Sequence, residues 1–303
     1  MTDRIFKKGL GYLRGFRSPK DYRPNTKEVQ DMYKKTKIKI NLKEVSASPP
    51  TKNDSRKRFT PVRDQGDLGS CTAFAVAGLL EYMQLNANKS FTLPSTRFIY
   101  KTTRMLQGLP GDTGAYIKNA IGSVVLFGAP PEKYWKYNGL SESLNPDFNI
   151  EPTAFCYAFG QNYQAIKYVR LDHPDVTSKD VIKKMKEHIV KGLPNIFGFT
   201  CFETLRHPTT SSGKIPFPDT NERDIGGHAV VTAGYDDAIE VTNPISKEST
   251  KGAFLIRNSW GEEWGESGYG WLPYKYFEDM YAEDVWVLLK TEWIDEIPFI
   301  QGE

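Results

Sequence analysis

The run Gly69–Met83 (GSCTAFAVAGLLEYM) constrains the fold more than any other stretch, because it is small and apolar on almost every side of a helix. Phe74, Ala77 and Leu80 recur at helical spacing, and the other faces are hydrophobic too, so such a helix needs cover all round. A chain of 303 residues supplies that cover as one large domain or two small ones. Residues 94–107 and 116–126 read as further helices. So does 177–191, capped by Thr177 or Ser178, with Val181, Ile182, Met185 and Ile189 on one face and Gly192 after it. Strand-like runs follow the midpoint, at 162–171, 195–200, 228–235, 253–258 and 284–289. A helical first part and a β-rich second part predict an α+β protein with two lobes. The Pro/Ser/Thr/Gly-rich segment 202–226 reads as a long surface loop.

At 39% hydrophobic and 25% charged residues the chain is too apolar for disorder. Its mean hydropathy of −0.51 and apolar runs no longer than Ala73–Leu80 argue against a membrane span. The N-terminal residues lack the apolar stretch of a secretory signal, so the expected location is cytoplasmic, with signal-independent export left open. Three cysteines, Cys71, Cys156 and Cys201, build no disulfide framework, although a single Cys156–Cys201 pair stays open. The four histidines are scattered, and neither a metal nor a cofactor is expected.

The net charge of +3 hides an asymmetry: residues 1–58 hold 17 Lys and Arg against 6 Asp and Glu, while the remainder is acidic. A basic arm of this kind grips nucleic acid, a membrane surface or its own acidic body. Without regular aromatic interleaving or a nucleic-acid fold, the intramolecular reading leads. The anchors it offers are Tyr12, Leu13, Phe16 and Tyr22. Ser46–Asp54 reads as a linker, which makes 1–50 an arm and 51–303 the body, with lobes at about 60–160 and 161–290.

Cys71 opens the apolar helix, where unpaired N–H groups and the positive dipole end favour a thiolate. Gln65, six residues earlier in PVRDQGDLGSCTAF, offers a side-chain donor to an oxyanion. His228 lies in GGHAVVTAG, at the start of a strand. Asn258 lies in RNSWG, at the end of another, and its oxygen is able to hold an imidazole in one tautomer. Each assignment alone has an ordinary structural alternative. The order Gln–Cys–His–Asn is much more specific.

Together with Leu255–Leu272 (LIRNSWGEEWGESGYGWL), these segments make the sequence resemble the papain-like cysteine peptidases, over about residues 50 to 290. The resemblance implies a helical left lobe and a β-barrel-like right lobe with a cleft between them. It makes Cys71 the nucleophile, His228 the base and acid, Asn258 the orienter and Gln65 the oxyanion donor. Trp260 shields the His228–Asn258 bond, Trp264 packs the turn, and Gly114 and Ala229 are subsite residues. It also implies a thiol pKa of ~3–4, lowered by several units.

Leu68 and Thr72 stand where the family usually has Cys and Trp; Thr72 leaves that part of the cleft less filled, and the missing disulfide cysteine points to a prokaryotic-type, reduced-compartment branch. The 157 residues from Cys71 to His228 exceed the usual spacing, an excess assigned to loop 202–226 overhanging the cleft. The expected protein is a monomeric endopeptidase acting on peptides or proteins, restrained as a zymogen by its own arm, with Arg56-Lys57-Arg58 a candidate cleavage point. An acyltransferase or deamidase, a silent binding module, and an exopeptidase blocked by the arm or by the tail Thr291–Glu303 remain as alternatives.

Overall fold

In the computed structural model, residues 8–35, 49–145, 148–163 and 165–291 are described. The strands are β1 (Tyr12–Leu13), β2 (Lys52–Asp54), β3 (Ala115–Tyr116), β4 (Ala165–Arg170), β5 (Asn195–Phe202), β6 (Asp224–Thr242), β7 (Ser249–Arg257), β8 (Tyr269–Pro273) and β9 (Ala282–Thr291). The helices are α1 (Lys27–Lys35), α2 (Cys71–Asn88), α3 (Thr96–Gln107), α4 (Ile117–Phe127), α5 (Ala154–Gly160), α6 (Ser178–Val190) and α7 (Lys275–Glu278).

Helices α2–α5 form one lobe and an antiparallel sheet the other. Strand order is β4-β9-β5-β6-β7-β8, with β2 added alongside β6. The sheet is open, a correction to the barrel-like expectation. Its short edge strand β8 is covered by the loop, since Trp271 N donates to Gly213 O at 2.7 Å and Ile215 N to Trp271 O at 3.0 Å; an edge already paired needs no closure. Period-two alternation along the strands separates two cores. Val231, Ala233, Leu255 and Trp286 face α2 and α4, while Phe197, Phe254 and Val287 face Val181 and Met185 of α6 and Phe277 of α7.

Helix α2 is buried all round from Cys71 to Gln84, as its composition requires. At its centre Gly78 leaves room for the Arg257 guanidinium. Buried Glu81 accepts from the Thr60 hydroxyl and from Arg63 at 2.8 Å, and Arg257 donates to Thr60 Oγ1 at 3.1 Å. This polar knot joins the helical lobe to β7.

The arm lies across the body. Strand β1 pairs in parallel with β3, Tyr12 opposite Ala115. Asp21 is buried against Lys118 and Arg170. Helix α1 then seats Val29 and Tyr33 in the α6 core, with the Tyr33 hydroxyl 2.7 Å from His188 Nε2. Of the expected anchors, Tyr12 is buried and Leu13 half-buried, but Phe16 is 85% and Tyr22 50% exposed. Asp21, Val29 and Tyr33 were not among the expected anchors.

Part of the expected linker is strand β2, paired with Asp236–Gly234 of β6. Arg56 is fixed in ion pairs with Asp54 and Glu266. A cut at the tribasic run would therefore detach a strand of the sheet. The surface-loop expectation for 202–226 is corrected in part: β5 and β6 extend into its ends, two short 3-10 turns lie within it, and Leu205, Thr210 and Ile215 are buried. Cys71, Cys156 and Cys201 are all free thiols, so Cys156 and Cys201 do not pair. Residues 292–303, which carry nearly all of the tail relevant to exopeptidase action, lie outside the described residues.

Candidate active site

The cleft brings the four sequence-derived residues together. Cys71 is the first residue of α2, behind Ser70, and receives N–H groups from Ala229, Thr72 and its own backbone. His228 and Ala229 sit on β6, opposite Phe199 and Gly198 of β5. Asn258 follows the last residue of β7, and its Oδ1 lies 2.7 Å from His228 Nε2. The same oxygen accepts the Ser259 backbone N–H at 2.8 Å. That second bond identifies it as the carbonyl oxygen, so Nε2 is the donor and the neutral ring keeps its free lone pair on Nδ1.

The Trp260 ring lies 4.7 Å from the His228 ring, and Trp264 packs edge-on to Trp260 at 5.3 Å. Gln65 is held by Ser259, whose hydroxyl donates to Oε1 at 2.6 Å and whose carbonyl accepts Gln65 N at 2.8 Å. The fixed orientation presents Gln65 Nε2 as a donor.

Several supporting residues were not singled out by sequence. Tyr137 ties Ser70 Oγ, at 2.7 Å, to the Gln65 carbonyl, at 2.6 Å. Asp112 accepts Gly69 N at 3.0 Å and the Tyr100 hydroxyl at 2.5 Å, bracing the turn before the thiol. Their signal in sequence is weak, since each is one polar residue in a loop or on a half-buried face.

The arm covers this arrangement. Gly9 O accepts Gln65 Nε2 at 2.9 Å, Gly11 N–H points at the Cys71 sulfur, and Gly11 O accepts Ala115 N at 2.7 Å. The fit depends on glycine. A Cβ on Gly11 would run into the Gly69 carbonyl, and one on Gly114, at φ +80°, into the Gly11 carbonyl. Cys71 and His228 are both fully buried. Burial pushes the thiol up to about 11, against the pull of the surrounding N–H groups. It holds His228 down at about 4, against its bond to Asn258. The low thiol pKa implied by the resemblance is thus reversed in the covered state, because neither ion has water to stabilise it.

Residues 49–281 match the papain family cysteine protease model. A peptidase C1-like protein of Acanthamoeba polyphaga mimivirus is 34% identical over 230 residues, 74% of this chain and 68% of that protein. Cathepsin K of Gallus gallus is 28% identical over 74% of this chain and 59% of its own length. Among solved structures, xylellain, a cysteine protease from Xylella fastidiosa, superposes with a TM-score of 0.76 at 30% identity, covering 93% of this chain and 96% of the other. Procathepsin L2 of Tenebrio molitor shares the fold, with a TM-score of 0.63 at 20% identity over 94% of this chain and 79% of its own. The chain is a two-lobed, papain-like thiol peptidase in its architecture. It belongs to the papain family of cysteine proteases.

Proposed function

We propose that this cysteine peptidase works as an endopeptidase through Cys71 and is held latent by its own arm. His228 Nδ1 takes the Cys71 proton, and the sulfur attacks the peptide carbonyl carbon. The oxygen that becomes negative is met by Gln65 Nε2 and the Cys71 N–H. The imidazolium, kept in register by Asn258, returns its proton to the leaving amine. Water then releases the acyl group by the same steps in reverse order. The observation that carries the assignment is the fixed tautomer of His228, which leaves Nδ1 without a hydrogen-bond partner one residue before the Ala229 N–H that meets the Cys71 sulfur at a helix N-terminus.

The support for latency is that the arm occupies both reactive positions without offering a scissile bond. Its Gly9 carbonyl takes the Gln65 donor, while the sulfur meets the Gly11 N–H rather than a carbonyl carbon. Deleting residues 1–46 should raise hydrolysis of a fluorogenic peptide and permit one epoxysuccinyl adduct, absent in Cys71→Ala. Equal activity with and without the arm would reject latency. No adduct on either form would reject the nucleophile.

A further inference from the structure

The arm conceals a pocket whose chemistry its own residues satisfy incompletely. Tyr12 follows Gly11, so its side chain enters the body one residue from the reacting sulfur. The ring lies between Gly198 and Gly227, in the space that a Cβ on either would need. Burial first, and the charges of Asp284 and Glu283 next, push the ionisation of its hydroxyl well above the ordinary range. The hydroxyl makes no hydrogen bond to the pocket walls, and the group that approaches it is the Gly15 backbone N–H of the arm itself.

Asp284 lies next along the arm, its Oδ2 facing Gly15. It is fully buried, with Oδ1 taking the Trp286 indole N–H at 2.7 Å and lying 3.2 Å from Arg170, while Oδ2 has no hydrogen-bond partner. Its backbone is held at φ +60°, unusual for a residue with a side chain, by Asp172, which accepts the N–H groups of Asp284 and Val285 at 2.9 Å each. The arm supplies the positive charge that this wall lacks: Arg14 pairs with Glu283, and Arg17 lies 3.9 Å from Asp172. Both guanidinium groups leave with the arm. Asp21, which pairs with Arg170 and Lys118, leaves with them. Arg170 stays, engaged by Asp172 at 3.0 Å and by Asp284, and Glu283 is left without Arg14.

We propose that the Tyr12 slot, continued by Asp284 and flanked by Glu283 and Asp172, is the specificity-determining subsite of the uncovered enzyme, and that it takes a basic side chain, arginine or lysine. Resting on the peptidase reading above, the inference names its substrate class. The aliphatic stem of a basic residue fills the glycine-lined slot, and its charged head supplies the donor that Asp284 Oδ2 lacks. Tyrosine fills the slot by ring area and leaves Asp284 Oδ2 unsatisfied, a seat that a basic substrate improves upon.

The test uses the full chain carrying Gly11→Val, whose arm cannot seat, and a library of fluorogenic peptides varied in turn at each of the four positions before the scissile bond. At one position arginine or lysine should exceed leucine in kcat/KM by about tenfold or more, the scale of a charge-assisted hydrogen bond. Asp284→Asn, which keeps the shape and the Trp286 bond, should remove most of that preference while leaving the leucine peptides nearly unchanged. Glu283→Gln, nearer the surface, should reduce it in the same direction and serves if the Asp284 variant does not fold. Turnover with tyrosine, phenylalanine or leucine preferred, or a basic preference that survives both variants, overturns the subsite and leaves the peptidase intact. No turnover of any peptide, with Cys71 unlabelled by an epoxysuccinyl probe, overturns the peptidase reading and the subsite with it.

Discussion

Replacing Tyr12 by alanine isolates the strength of the arm's grip on the cleft. Tyr12 is only 8% exposed, and a buried aromatic removes ~150–250 Å² from water. At about 25 cal/mol per Å² this stabilises the seated arm by roughly 4–6 kcal/mol. The retained Cβ and the hydroxyl, which makes no hydrogen bond to the pocket walls and costs about 1–3 kcal/mol, reduce the net to about 2–3 kcal/mol. The open fraction should rise about 30- to 140-fold. A small alkylating thiol reagent at low concentration reads this directly. When opening and closing are fast, the rate of Cys71 modification is proportional to the open population. Cys71→Ala corrects for labelling at Cys156 and Cys201. Gly11→Val, which acts by steric exclusion instead of lost area, should accelerate labelling too. If Tyr12→Ala labels within twofold of the parent, the arm is not what buries the thiol, and the argument for latency fails.

Asn258→Ala should lower kcat of the uncovered enzyme about 5- to 150-fold with a smaller change in KM, the loss of one buried hydrogen bond expressed in the orientation of His228; an equal change in both would contradict an orienting role. Glu81→Ala removes the acceptor of Thr60 and Arg63 and leaves Arg257 without its nearest anion, and should destabilise the fold by about 3–5 kcal/mol in a denaturant titration. His188 is buried with its pKa held at about 4, well below the ~6.5 of an unfolded chain. The unfolded state therefore binds the extra proton, and stability falls as the pH drops from 6.5 to 4, by up to about 3 kcal/mol from this group. His188→Gln should flatten that part of the pH profile, and an unchanged slope would refute it. His228, with the same sign, and Asp284, with the opposite one, are common to both proteins and cancel in the difference.

The candidate site was legible because each of its side chains sits in a short segment whose local pattern suits few other roles. Cys71 begins an apolar helix and Asn258 follows an apolar strand, while His228, expected at the start of a strand, lies four residues inside β6. The architecture was legible only in part. Thr177–Lys191 announced a helix through its cap and its apolar face, and the structure places α6 at Ser178–Val190. Helix α5, with seven residues, was missed, being too short to show a period. Strand β8, YGWLP, was hidden inside a motif noticed for its glycines. The openness of the sheet depends on Gly213 and Ile215 pairing with Trp271, a long-range bond that no window of sequence contains. The arm was misread in detail because its hold on the body comes from backbone and charge. Gly9 and Gly11 offered no side chain to notice, and Asp21 looked like a solvated acid.

The seat of α1 on α6 gives the arm a second point of attachment, remote from the thiol. If the segment Gly9–Leu13 peels away while Asp21, Val29 and Tyr33 stay in place, residues 14–20 become a tether. A ligand on a short tether is presented to its site at a millimolar effective concentration. Any substrate then competes with an occupant that cannot be diluted away, and the apparent KM of the intact chain rises in proportion to the tightness of the strand. Activation by opening alone would be reversible and set by substrate supply, whereas one cut within the tether would make it permanent.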